Sequence, residues 1–237
     1  IAMKEKHAEI RIQTSFLSAV EKRILVKMAK KLPDWVNSDH LTFIGFTGAV
    51  VTAVAYVLSN LDIRFLWLAS FGLVINWYGD SLDGTLARVR NTQRPVYGFF
   101  IDHNIDAVTI SLMCIGAGLS PIVSLSIALL ILAGYLVLSI FTYINAHLKG
   151  EFKISYGLFG PTEFRLIVII INTMFIYLPL QRPLLSIAGR MFSLVDVICI
   201  AIAGILFTVH FVNIIIYKKE YERIDPPKPY KKNADIQ

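Results

Sequence analysis

The chain has 237 residues, 55% of them hydrophobic, with a mean hydropathy of +0.61 and only 17% charged residues. That balance excludes an ordinary soluble domain and fits a polytopic membrane protein with short polar ends. A net charge of +6 admits either nucleic acid or an anionic membrane surface as a partner. The basic residues gather in the tails and alternate loops, and the aromatic residues are spread through apolar runs, so a nucleic-acid surface is not expected.

In chain order, residues 1–36 are polar and basic, with eight Lys or Arg. Within them Phe16, Leu17, Val20, Ile24, Leu25, Met28 and Ala29 recur at helical spacing, with Lys22, Arg23, Lys27 and Lys30 between. This predicts an amphipathic helix on the anionic cytoplasmic face of a membrane, ended by Pro33. No cleavable signal peptide is expected there, because the first 30 residues lack an apolar core. The stretch NSDHLT, Asn37 to Thr42, then offers Ser38 or Asp39 as the N-cap of a first membrane helix.

The expected fold is an all-α integral membrane protein with six spans, at roughly 40–59, 63–79, 99–119, 122–146, 164–180 and 192–217. The chain thus divides into an N-terminal segment (1–36), a six-helix membrane domain (37–218) and a polar tail (219–237). In the tail, Pro226, Pro227 and Pro229 stop any helix. Twenty Lys and Arg fall in the two ends and alternate loops, against Arg64, Arg182 and Arg190 on the other side. This asymmetry predicts cytoplasmic termini, as an even number of spans requires. Cys114 and Cys199 lie in apolar runs without ligand spacing and read as buried or lipid-facing thiols. His210, in the last span, reads as a hydrogen-bonded core residue.

The chemistry lies in Asp80 to Asp106, DSLDGTLARVRNTQRPVYGFFIDHNID. Asp80, Asp83, Asp102 and Asp106 are costly at a membrane unless they bind a cation. A continuous helix over about 63–90 puts Asp80, Asp83, Gly84, Ala87 and Arg88 on one arc, with Leu82, Thr85 and Leu86 opposite. After a turn containing Asn91, Thr92 and Pro95, Asp102 and Asp106 stack four apart on the next helix, with Gly98 on the same face. Clustered oxygen ligands select a hard divalent ion, Mg²⁺, Mn²⁺ or Ca²⁺. Gly84 and Ala87 leave room for a ligand near the backbone, and Arg88 suits a phosphate. The combination points to metal-assisted displacement at phosphorus, with one carboxylate free to act as base.

The pattern D-x-x-D-G-x-x-A-R, a spacer, then G-x-x-x-D-x-x-x-D resembles the motif of the CDP-alcohol phosphotransferases, at Asp80, Asp83, Gly84, Ala87, Arg88, Gly98, Asp102 and Asp106. The resemblance extends to six spans, cytoplasmic termini and an amphipathic N-terminal helix. It implies that the four aspartates ligate one or two Mg²⁺ or Mn²⁺ ions holding a CDP pyrophosphate. Gly84, Ala87, Arg88 and Gly98 would then line the donor pocket. It also implies that Asp106 takes the proton of an acceptor alcohol, that CMP is released, and that the enzyme is a homodimer acting in phospholipid synthesis.

Further positions match less closely. Leu41, Thr42 and Gly45 agree with a Thr-Pro-Asn-x-Leu-Thr-x-x-Gly pattern of many members, while Asn37, Ser38 and Asp39 depart from it, leaving Asp39 as a candidate nucleotide contact. His103 follows Asp102 as in the choline and ethanolamine branch, and either assists Asp102 or packs. Glu163 and Arg165 either reach the site or serve the start of their own helix, which Thr162 is placed to cap. Asn76, His147, Lys149 and Lys153 are topology residues or a phosphate-binding loop. Two other classes use membrane aspartates, a prenyltransferase on a polyprenyl diphosphate and a cation-coupled transporter. Both acidic pairs fall within 27 residues at the end of their spans, which favours phosphotransfer over either.

Overall fold

The computed structural model describes residues 17–149, 160–178, 183–187 and 189–227. The readings made above for Phe16, Lys153, Arg182 and Pro229 lie outside these residues. Among the described residues seven helices follow in order: α1 (Ser18–Ala29), α2 (Ser38–Leu58), α3 (Phe65–Val89), α4 (Pro95–Gly118), α5 (Leu125–Lys149), α6 (Pro161–Tyr177) and α7 (Leu194–Ile224). Of these, α2, α4, α5 and α7 are long and apolar enough to cross a membrane. Their outer faces carry large exposed apolar side chains, among them Phe43, Phe100, Ile140, Ile205, Phe211 and Ile215. An all-α membrane protein is what such a surface requires.

The architecture hangs on the crossing of α2 and α3, the most extensive helix pair. It is lined by glycine. A Cβ on Gly79 would lie 2.2 Å from the Gly45 nitrogen, and one on Gly48 would lie 2.4 Å from the Asn76 nitrogen. The two backbones therefore touch directly, as small residues allow in membrane helices. Helix α2 also packs on α4, with Gly116 against the Ala53 backbone. Helix α6 packs on α3, α5 on α4, and α7 on α5.

Two apolar clusters lie at opposite ends. One joins Leu25, Ala29, Val36, Leu41, Leu82 and Leu86 from α1, α2 and α3. It is here that Leu82 and Leu86, expected opposite the acidic arc, are buried. The other gathers Tyr56, Leu66, Ile122, Ile127, Phe175 and Val195 at the far end. There the buried Asp196 carboxylate caps α7, accepting from the Ser193 backbone, the Ser193 hydroxyl and the Ser124 backbone at 3.0–3.1 Å.

Several local expectations are corrected. The cap of α2 is Asn37, not Ser38 or Asp39. Its Oδ1 accepts from the His40 backbone at 2.9 Å, and His40 Nδ1 in turn accepts from the Asn37 backbone. Ser38 is thereby freed to bond α3. Within the all-α membrane architecture, Pro183–Ile187 and Arg190–Ser193 form a short antiparallel hairpin (β1, β2) turning at Gly189, whose φ is +76°, a feature the expected elements did not include. Helix α7 runs to Ile224, well into the tail assigned to 219–237, because Tyr221 donates to Asn145 Oδ1 at 2.7 Å and Lys218 pairs with Glu222. It stops just before Pro226, as expected. Among the described residues His210 Nδ1 finds no hydrogen-bond partner, and the ring packs edge-on to Phe141 and Phe211. Both cysteines are free thiols.

The crossing yields a direct test. Gly79→Ala should destabilise the protein by about 1–3 kcal/mol, since the added methyl must separate two backbones. Gly204→Ala on α7, where a Cβ meets nothing within 4 Å, should leave the thermal midpoint in detergent at or slightly above wild type. Equal midpoints for the two variants would contradict the glycine-lined contact.

Candidate active site

The last turns of α3 are positioned by α2. Thr42 on α2 donates to Asp83 Oδ2 at 2.6 Å, and Ser38 donates to the Asp83 carbonyl at 2.9 Å. Asp83 also accepts from the Gly84 backbone through Oδ1. These contacts account for the burial of a charged side chain at the α2–α3 seam, where it is only 8% exposed. Leu41 and Gly45 complete the explanation of the Leu-Thr-x-x-Gly stretch. Leu41 is buried beneath Leu82, Thr42 bonds Asp83, and Gly45 admits the α3 backbone.

Asp80 is held from α6. Arg165 Nη2 lies 2.5 Å from Asp80 Oδ2, and its Nε donates to Asn76 Oδ1 at 3.0 Å. Asn76 in turn donates to the Gly45 carbonyl at 3.0 Å. A chain of polar contacts thus runs from α2 through α3 to α6. It aims the guanidinium at the first aspartate of the motif.

Helix α3 ends on Asn91, which takes φ +55°. The Asn91 and Thr92 backbones return to the Arg88 and Ala87 carbonyls, a left-handed cap that turns the chain sharply. Arg90 fastens this end to the α1–α2 linker, donating to the Leu32, Pro33 and Val36 carbonyls. Pro95 then opens α4, with the Arg94 guanidinium over the Tyr97 ring at 3.6 Å.

On α4, Asp102 and Asp106 are partly buried. Asp106 interacts electrostatically with Asp80, Asp83, Asp102 and Arg165, and Asp83 with Asp80 and Asp102. Among the described residues α3 and α4 both pack on α2 rather than extensively on each other, and the two acidic pairs lie within electrostatic reach of one another. A Cβ added at Gly98 would meet nothing within 4 Å among the described residues. Arg88 is exposed, folds its guanidinium over Gly84 and donates to Thr85 Oγ1 at 3.0 Å. Ala87 is half-buried one turn below.

An oxygen-only set of four carboxylates in one electrostatic neighbourhood fits a hard divalent cation in kind. Among the described residues, no three acidic, histidine or cysteine side chains converge tightly enough to grip one ion. The reason is visible in the contacts: Asp80 is turned to Arg165, and Asp83 to Thr42 and the Gly84 backbone. A cation entering this neighbourhood would compete with those donors for the same oxygens.

Other expected residues are placed elsewhere. Asp39 pairs at 3.6 Å with Arg94, both largely solvent-facing, an arrangement of little energetic weight. His103 turns from the Asp face; its Nδ1 meets the Phe99 carbonyl at 2.7 Å and its ring packs between Phe99 and Tyr143. Glu163 serves the start of its own helix, accepting from the Gly160 backbone, and also accepts from the Leu17 backbone of α1, both at 2.9 Å. Thr162 does not cap α6, which begins at Gly160 and Pro161. It donates to Glu21 on α1 at 2.6 Å. His147 is exposed at the end of α5.

Sequence reasoning missed the roles of Ser38, Thr42, Asn76 and Glu21. For Thr42 the Leu-Thr-x-x-Gly agreement was a signal; for Glu21 there was none, since a lone acid in a basic amphipathic helix reads as solvated.

A comparison with curated proteins gave no match. The sequence profile of the CDP-alcohol phosphatidyltransferases matches residues 35–209, from just before α2 into α7, and so takes in both acidic helices and Arg165. A match over most of the chain, on a helical membrane fold, leaves one assignment: the chain belongs to the CDP-alcohol phosphatidyltransferase family, transferases of phosphate-containing groups in phospholipid synthesis.

Proposed function

We propose that this protein is a divalent-metal-dependent, homodimeric phosphotransferase with six spans, α2 to α7, and its acidic site at the cytoplasmic surface. It would take a CDP-linked lipid or a CDP-linked small alcohol as donor. Helices α3 and α6 supply the two spans beyond the four helices that are long and apolar enough by themselves. At 25 and 17 residues they reach about 37 and 26 Å, comparable to a hydrocarbon core of about 30 Å. Helix α1 lies along the headgroup region, with Val20 and Ile24 exposed beside Lys22, Arg23 and Lys27.

The observation that carries the reading is the electrostatic neighbourhood that joins all four motif aspartates of α3 and α4. Gly98 has open space at its Cβ position among the described residues, and Arg88 is exposed. Asp80, Asp83, Asp102 and Asp106 would hold Mg²⁺ or Mn²⁺, which supplies Lewis-acid stabilisation of the pyrophosphate charge when bound. Gly84, Ala87 and Gly98 leave room for the donor against the helices, and Arg88 binds a phosphate oxygen pair. Among the described residues Asp106 accepts no hydrogen bond, so its carboxylate is available to a substrate proton. It removes the proton from the acceptor hydroxyl, whose oxygen forms a bond to the β-phosphorus as the bond to the CMP oxygen breaks.

Purified protein with Mg²⁺ or Mn²⁺ and a panel of CDP-linked donors and alcohols should release CMP. Chelation should stop this and the metal restore it; CMP release that survives exhaustive chelation would remove the metal from the reaction. Asp106→Asn should lower turnover by about 10²–10⁴-fold while donor binding stays measurable. Wild-type turnover in that variant would remove Asp106 as the base. Arg88→Ala should weaken donor affinity by roughly ten- to a hundredfold, the weight of a charge-assisted phosphate contact, and an unchanged affinity in a titration with CDP would rule that contact out.

A further inference from the structure

The acid on α1 is more deeply engaged than any other polar residue of that helix. Glu21 is 9% exposed, and three donors converge on its Oε1: Trp77 Nε1 at 2.7 Å, Thr162 Oγ1 at 2.6 Å and Ser81 Oγ at 3.4 Å. Trp77 and Ser81 flank Asp80 on α3, and Thr162 stands three residues before Arg165 on α6. One carboxylate oxygen therefore grips the two helices within a turn of each partner in the Asp80–Arg165 pair. Glu163 returns the contact from α6, receiving the Leu17 N–H at the start of α1, where the helix dipole favours a negative charge.

We infer that Glu21 is a positioning residue for the transfer reaction: it clasps α1 onto α3 and α6 and so sets how Arg165 meets Asp80. This rests on the phosphotransferase reading above. Neither Glu21 nor α1 lies within residues 35–209, so the clasp brings an element from outside the matched region onto the motif helix. Because the donors meet on a single oxygen, an amide oxygen can replace it. A misplacement near 1 Å at a reacting centre can cost about a hundredfold in rate. Removing the clasp moves Asp80 relative to Arg165 without touching Arg88, Gly84 or Asp106.

The test uses the full chain in lipid nanodiscs with Glu21→Ala, Glu21→Gln and Thr162→Val. Glu21→Ala should lower kcat on the order of ten- to a hundredfold with donor KM near wild type, and Glu21→Gln should restore most of it. Thr162→Val, which removes only the α6 arm and keeps the side-chain shape, should lower kcat less; it also serves if Glu21→Ala does not fold. In a Trp35→Phe, Trp67→Phe background the remaining Trp77 emission should shift in Glu21→Ala and not in Glu21→Gln. Thermal midpoints of Glu21→Ala and Arg165→Ala should be non-additive, since the two act on one joint.

Wild-type kcat in Glu21→Ala with shifted Trp77 emission would overturn the positioning role. Unshifted emission would overturn the clasp itself, and additive midpoints its link to Arg165. Absence of CMP release from wild type with every CDP donor would defeat the phosphotransferase reading alone, because emission and midpoints report the clasp without turnover.

Discussion

Everything at the acidic site depends on two backbones meeting at Gly45, Gly48, Gly72 and Gly79. Inside a membrane there is no hydrophobic force to press helices together, so close packing and interhelical hydrogen bonds must do it. Removing side chains from the seam lets α2 and α3 approach until their polar groups interlock. Thr42 then reaches Asp83, Asn76 reaches the Gly45 carbonyl, and Thr52 Oγ1 reaches the Ala69 carbonyl at 3.3 Å. A larger residue at any of these glycines would lengthen all of these contacts together. The crossing and the site are thus one structure seen at two scales.

The second requirement is to hold carboxylates at a membrane. A buried charge is tolerated when donors surround it, and each acid of α3 has such donors. For Asp80 the donor belongs to α6, so the pose of α6 matters. That helix is fixed at both ends: Asn172 is bonded to Tyr56 and Ser70 at 3.2 Å deep in the bundle, and Thr162 and Glu163 are bound to α1 at the other end. Arg165 sits between these anchors, 15% exposed at its side chain, and has little freedom except toward Asp80 and Asn76.

The acidic arcs were legible because helical periodicity alone places residues three and four apart on a face, and no proline interrupts α3 before Pro95. The burial of Leu82 and Leu86 followed from the same geometry. What depended on competition between neighbours was not legible. Asn37, Ser38 and Asp39 are all good caps, and only the demand of Asp83 for Ser38 separates them. The extension of α7 rests on Tyr221 meeting Asn145, 76 positions away in sequence, and the Glu21 clasp joins residues up to 141 positions apart. Neither leaves a periodic trace. The hairpin of β1 and β2 escaped because strands of 5 and 4 residues between apolar helices resemble the ends of those helices.

The two acidic pairs are not equivalent, and their difference bears on the chemistry. Asp80 and Asp83 are pinned on α3 by Arg165, Thr42 and a backbone N–H, so their oxygens are oriented and partly neutralised. Asp106 on α4 is surrounded by like charges and one guanidinium, with no hydrogen-bond donor among the described residues. A charged partner reaching the same oxygens would have to displace those donors. A base needs an oxygen that no protein donor occupies. Identical side chains at regular spacing therefore come to differ in their surroundings, because α3 is packed against donors on α2 and α6, while Asp106 on α4 meets no hydrogen-bond donor among the described residues.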